Sequence, residues 1–214
     1  MKRILALLIL IFVGSGLLLP IFAFKSCAME QDVETEEYIQ EELNKNDEVS
    51  PKDLSIIYVN KEMESIEYLK EKNLFEWYKA YREIICKYRN VLDAPLSVFD
   101  FYTEDEVRLI CKTVETECYG QSFESKVMVA NVIFNRIESS EFSSNVKEVI
   151  TSPYQFAYWR ESISEDTLYA VMYGFEMGDL TNGSLAFHSN EKTERFVGKK
   201  YTLTDKESGH HFYK

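Results

Sequence analysis

Basic charge is what this sequence has too little of. Lysine and arginine number 24 against 36 aspartates and glutamates, for a formal net charge of −12. A chain this acidic has no general electrostatic hold on a nucleic-acid backbone or on anionic membranes and polymers. No basic patch with interleaved aromatics appears either, so nucleic acid is excluded as a partner. Metal-ligand spacing is missing too. There are three histidines and four cysteines, but no CxxC, no Cys/His zinc spacing and no HExxH. No metal and no cofactor is expected. A P-loop and internal repeats are absent, which removes nucleotide-cradling and solenoid architectures. What is present is ordinary: 214 residues, 45% of them hydrophobic, enough for one domain with accessories.

The accessories come first. Lys2 and Arg3 precede an almost unbroken apolar run from Ile4 to Phe24, closed by Lys25. A charged start and an apolar core form the pattern of a secretory signal. At about 1.5 Å per residue the same run spans roughly 30 Å of hydrocarbon, so an uncleaved membrane anchor fits as well. Ser26-Cys27-Ala28 supplies small residues for cleavage. Residues 1–28 are therefore read as signal peptide or membrane anchor, with the rest of the chain exported. Residues 29–54 are an acidic linker in which Glu34, Glu36, Glu37, Glu41 and Glu42 repel one another. Residues 55–98 form a helical stalk or docking helix. Helical patterning sets in at about Lys61 and runs to Val91, with Leu74, Trp77, Tyr81, Ile84, Ile85 and Tyr88 on one apolar face.

Of the cysteines, Cys111 and Cys118 lie about 10 Å apart along one helix and cannot bond to each other. Cys86 can pair with either in an oxidising exterior. Buried apolar thiols are the plainer reading.

The stretch from Thr103 to Arg136 organises the rest of the chain. Thr103 and Glu106 form a capping box at the start of a helix. Val107, Ile110, Cys111 and Val114 follow its apolar stripe. Glu117, seven residues after Ile110, falls on that stripe, whereas Glu115 is rotated about 140° from Ile110 onto the opposite face. A carboxylate on the packed side must be paired, hydrogen-bonded or protonated, and burial raises its pKa towards that of a general acid. On spacing alone a structural glutamate near a helix C-terminus, bonded to neighbouring backbone or arginine, is the plainer reading. After Gly120 a second helix, Ser122 to Ile137, carries VMVANVIF, apolar on nearly all sides and so predicted to be central. Its Asn131, Asn135 and Arg136 need partners, either in a structural network or in positioning Glu117.

Further on, Ser144 or Asn145 caps a short helix with Val146, Val149 and Ile150. The loop TSPYQFAYW comes next, from Thr151 to Trp159. Ser164 caps an amphipathic helix with Leu168, Val171, Met172 and Phe175 on one face. Thr181-Asn182-Gly183 is a turn, and SLAF, YTLT and HHFYK are small strands. The fold class is mainly α with a small β region.

Glu117-Cys118-Tyr119-Gly120-Gln121, the helix from Val127 to Arg136, Phe142 with Val149-Ile150, Gln155-Phe156, Leu185–Phe187 and Gly209–Phe212 occur in an order that resembles the cell wall hydrolase family of spore cortex-lytic enzymes (SleB-type). The resemblance implies that residues 99–214 are a lysozyme-like, mainly helical catalytic domain cleaving peptidoglycan glycan strands. Glu117 would be its catalytic glutamate, in a lytic transglycosylase or a hydrolase. A hydrolase needs a partner carboxylate, for which Glu124, Glu138, Glu161 and Asp166 are the candidates. Tyr154, Gln155, Phe156, Tyr158, Phe187 and His188 are the expected substrate-binding residues, with Trp159 beside them. Gln121, Asn131, Asn135, Arg136 and His210 are expected to support Glu117. Two departures from the family pattern stand out: Gln121 replaces a usual glutamate, and His188-Ser189-Asn190 replaces an aromatic-Asn-Pro segment. A catalytically weak wall-binding module and a metal-dependent amidase are the rival readings.

Overall fold

The run VMVANVIF lands at the centre of the fold. In the computed structural model, which describes residues 51–88, 97–188, 202–207 and 210–214, helix α5 spans Phe123–Glu138. Its Val127, Val129, Ala130, Val132 and Ile133 have no exposed surface. Complete burial of each large aliphatic side chain contributes about 1.5–3 kcal/mol. The signal or anchor segment, the linker up to residue 50, Cys27, Ser189, Asn190 and Gly209 lie outside the described residues.

Other helices are arranged around α5. Helix α1 is Pro51–Lys72, α2 is Leu74–Lys87 and α3 is the short turn Val98–Phe101. Helix α4, Glu104–Glu117, is followed after α5 by α6, Val146–Thr151, and α7, Glu165–Glu176. Helices α4, α6, α7 and α2 all touch α5. Helix α7 comes close to it at Gly174, where a Cβ would lie 3.2 Å from Asn131 Nδ2 and 3.3 Å from the Val127 carbonyl oxygen. The missing side chain is what lets the two backbones meet.

Strands β1 (Ala186–His188), β2 (Leu203–Glu207) and β3 (His210–Tyr213) form an antiparallel sheet in the order β1-β3-β2. Phe187 is paired with Phe212 and His188 with His211. Phe212 and Tyr213 are fully buried. The architecture is thus mainly helical with a small β region, as the sequence predicts.

One predicted helical stretch is in fact two helices. The pattern from 61 to 91 breaks at Asn73, whose extended backbone ends α1 and whose side chain accepts the Glu76 amide at 3.2 Å to cap α2. The break lets α2 turn its apolar face inwards. Trp77, Tyr78, Ile84 and Ile85 are buried, and Tyr78 meets Tyr173 edge-on with 5.0 Å between ring centres. A buried ion pair fixes α2 to the end of α7. Arg82 Nη1 lies 2.8 Å from Glu176 Oε2, and the Tyr78 hydroxyl donates to the same oxygen at 2.6 Å.

The cysteines described here, Cys86, Cys111 and Cys118, are free thiols. Cys111 and Cys118 are completely buried, and burial pushes both thiols well up.

Breaking a buried pair strands a charge, and breaking an exposed one does not. Arg82→Ala, which leaves the Glu176 carboxylate buried without its cation, is expected to lower the unfolding free energy by about 3–5 kcal/mol in a urea titration. Lys79→Ala, at the half-exposed 2.9 Å pair of Lys79 with Glu165, is expected to change it by no more than about 1 kcal/mol.

Candidate active site

Helix α4 begins as expected. Thr103 Oγ1 accepts the Glu106 amide, and Glu106 Oε2 accepts the Thr103 amide at 2.9 Å. Its last residue is Glu117. Beyond it the chain turns through Gly120, whose φ of +73° lies in the left-handed region that glycine enters without strain. Ser122 Oγ then accepts the Ser125 amide and caps α5. Glu117 is thereby held at a helix end, half-buried, with its carboxyl directed at the loop that succeeds α6.

That loop closes on it. The Ala157 amide donates to Glu117 Oε1 at 2.6 Å, and the Arg160 amide donates to Thr116 Oγ1 at 3.1 Å. Burial raises the pKa of Glu117 above the ordinary carboxyl value. The Ala157 amide and the Arg136 charge pull it back only in part. No carboxylate among the described residues shares a hydrogen bond with it. Of the candidate partner acids, Glu161 is exposed and pairs with Lys112 at 2.6 Å, and Asp166 pairs with Lys126 at 2.7 Å.

Arg136 connects the loop to the sheet. Its Nε donates to the Leu185 carbonyl at 2.6 Å and its Nη1 to Gln155 Oε1 at 2.9 Å. The guanidinium also lies over the Phe156 and Phe142 rings, at 4.5 and 4.8 Å from their centres. Phe156 faces Phe187 at 6.1 Å, and Phe187 meets His210 edge-on at 5.4 Å. Gln155, Phe156, Phe187, Arg136 and His210 are therefore one connected group. His188 is buried in the sheet, stacked on Tyr213 with its Nε2 2.9 Å from the hydroxyl. Burial, then the neighbouring His188 and His211, lower the pKa of His210.

Tyr154, Tyr158 and Trp159 sit at the surface of the loop. Tyr154 is wholly exposed, at a left-handed φ of 65° that costs a bulky residue strain. Trp159 is 69% exposed, so core packing does not account for it.

Two expected supporting residues point elsewhere. Asn131 donates to the Gly174 carbonyl at 2.8 Å and accepts the Leu180 amide at 3.0 Å, closing the end of α7. Asn135 bonds Asp179, Thr181 and the Ser184 carbonyl in the turn before β1. These two asparagines serve a structural network, the first of the two roles open to them. Gln121 is exposed past the helix end.

Glu115 lies on the opposite face from Ile110, but that face is also packed. The carboxylate is 5% exposed and accepts the Ser164 amide at 3.1 Å and the Ser164 and Thr167 hydroxyls at 2.5 Å each. Burial works against its charge, and these donors, with the Lys126 charge, outweigh it and hold its pKa below the ordinary value. The sequence stripe placed Glu115 correctly in phase. What it missed is that α7 begins over it.

The residues that sequence reasoning missed are Ala157, Thr116 and Arg160. Ala157 acts through its backbone amide, for which no side-chain pattern exists, and its position beside Gln155-Phe156 was the available signal.

Fold and site together give a mainly helical protein in which the Glu117 carboxyl, at a helix end beneath the loop, is half-buried and of raised proton affinity. Residues 120–213 match the model of the cell wall hydrolase family, so the resemblance seen in the motifs holds over that segment. The match begins at Gly120, just after Glu117. Two solved structures are similar, each at 24% identity over 53% of this chain. The catalytic domain of the Bacillus cereus SleB protein is covered over 92% of its length with a TM-score of 0.49. The catalytic domain of the germination-specific lytic transglycosylase SleB from Bacillus anthracis is covered over 97% with a TM-score of 0.48. No curated protein matches the chain.

Two titrations test this geometry. Since the Arg136 charge lowers the pKa of Glu117, Arg136→Met is expected to move it further up, read by carbon-13 NMR of the glutamate carboxyl. Glu115 has a depressed folded pKa, so its stabilisation is complete above the unfolded value and is lost as pH falls through the folded one. Glu115→Gln is expected to be less stable than wild type at neutral pH, with a flatter loss of stability below about pH 4 in acid-unfolding curves.

Proposed function

We propose that this chain cleaves peptidoglycan glycan strands with Glu117 as its catalytic acid. The observation that carries the reading is the half-buried Glu117 carboxyl, with its pKa raised by burial, beneath a loop of exposed aromatics in a segment adjoining the cell wall hydrolase match. Protonated Glu117 gives its proton to the glycosidic oxygen, and the bond from the anomeric carbon to that oxygen breaks. The carboxylate left behind then takes the proton of the muramic C6 hydroxyl as that oxygen attacks the same carbon. The strand ends in an anhydro sugar, the carboxyl is protonated again, and no water is consumed. One carboxyl suffices for this sequence, and a hydrolase requires a second across the bond. With Glu161 and Asp166 held by lysines, the transglycosylase is favoured. The Ala157 amide steadies the carboxylate between the two steps, and Arg136 keeps Gln155 and Phe156 in place beside it.

The exposed rings of Tyr154, Tyr158 and Trp159 supply stacking faces for sugars, with Gln155 and Phe156 at their base. Phe187 reaches the site from the sheet through Phe156, and His188 faces the other side of the strand against Tyr213. Gln121, where the family pattern has a glutamate, is exposed and makes no hydrogen bond to Glu117. We take 99–214 as the catalytic domain. The N-terminal apolar run directs it out of the cytoplasm, to vegetative wall or spore cortex.

The test is mass spectrometry of muropeptides released from purified peptidoglycan by the full-length chain. Anhydro ends are expected from wild type, with the rate falling as pH rises through the raised pKa of Glu117, and Glu117→Gln is expected to lose about 10²–10⁴-fold in rate. Reducing ends would replace the transglycosylase with a hydrolase. Intact glycans with freed peptides, or full activity in Glu117→Gln, would overturn the assignment.

A further inference from the structure

Arg160 is a cation without an anion. Every other described arginine reaches an oxygen: Arg82 reaches Glu176, Arg108 reaches Glu161 at 3.8 Å, and Arg136 reaches Leu185 and Gln155. Among the described residues no acceptor meets the Arg160 side chain, and its Nε is buried without a hydrogen-bond partner. It is held instead by rings. The guanidinium carbon lies 3.3 Å from the centre of the Tyr119 ring and 4.9 Å from that of Trp159.

The place of this cation matters. Tyr119 is two residues past Glu117, and Arg160 is three past Ala157, the donor to Glu117. The Arg160 amide is itself tied to Thr116 beside Glu117. Both rings are open to solvent, at 62% for Tyr119 and 69% for Trp159, so they form a surface platform and not a core. A stacked guanidinium is weakly hydrated and keeps its planar fork of N–H donors, the geometry that takes a carboxylate in two parallel hydrogen bonds. The chain as a whole carries −12, which repels an anionic polymer. An unpaired cation at the site is the local remedy.

We propose that Arg160, stacked between Tyr119 and Trp159, binds a carboxylate on the side chain of the muramic residue and so selects anionic glycan strands. Two sources share this chemistry: the lactyl carboxylate, free only on a residue that carries no peptide, and the carboxylates of an attached peptide, whose attachment turns the lactyl carboxyl into an amide. The proposal rests on reading the Glu117 site as the glycan-binding site.

Binding is measured by co-sedimentation of the full-length chain with insoluble peptidoglycan in three forms: native, carboxyl-amidated, and stripped of peptides. Wild type is expected to bind native material about fivefold to tenfold more tightly than amidated. Arg160→Gln is expected to bind both as weakly as wild type binds the amidated form, with Arg160→Lys between. Tight binding to peptide-free strands assigns the lactyl carboxylate, and weak binding assigns the peptide. Wild-type indifference to amidation, or an undiminished preference in Arg160→Gln, would overturn the proposal. If circular dichroism shows Arg160→Gln unfolded, Arg160→Lys decides, an undiminished preference there counting against it. Because no turnover is read, failure of glycan cleavage would strike the Glu117 assignment separately.

Discussion

A helix buried on every side can keep a polar side chain only if that side chain carries its hydrogen bonds to a neighbour. Lys126, Asn131, Asn135 and Arg136 of helix α5 do this, and each ties down a different part of the fold. Lys126 pairs with Asp166 at the start of α7. Asn131 closes the end of α7, and Asn135 orders the turn into β1. Arg136 joins the loop of Gln155 to the chain entering the sheet. The apolar content of α5 places it at the centre, and its polar exceptions set the positions of its surroundings.

Glu115 and Glu117 show how strongly surroundings outweigh residue type. They stand two positions apart on one helix, and both are withdrawn from water. Three donors from Ser164 and Thr167 hold Glu115 as an anion. Glu117 receives one amide and a more distant charge, too little to offset burial, so it keeps its proton to higher pH. The difference lies in the number of donors supplied by the loop and helix that cover each of them. A carboxyl that both gives and retrieves a proton benefits from sparse solvation by the protein.

Helix α2 lies upstream of the matched segment, yet its buried contacts with α7 make it part of the same packed body. The pair of Arg82 with Glu176 sits at the end of α7 that Asn131 closes. Any shift of α2 is thus felt by the helix whose first residues hold Glu115.

The sequence by itself determined most of the helices, the centrality of α5, the small terminal strands and the position of Glu117 at the end of its helix. Each of these rests on local spacing: apolar residues at helical intervals, a capping box at Thr103, a glycine break at Gly120. The order of Gln155-Phe156 and the closing segments was also readable as a resemblance. Only the tertiary structure decided which face of α4 was covered by what, because a helical stripe reports phase and not the neighbour packed against it. It alone separated Arg136, which reaches the site, from Asn131 and Asn135, which point away, although all three lie on one helix. It alone supplied the Ala157 amide and the rings around Arg160, since a backbone donor and a contact across about 40 residues leave no trace in local sequence.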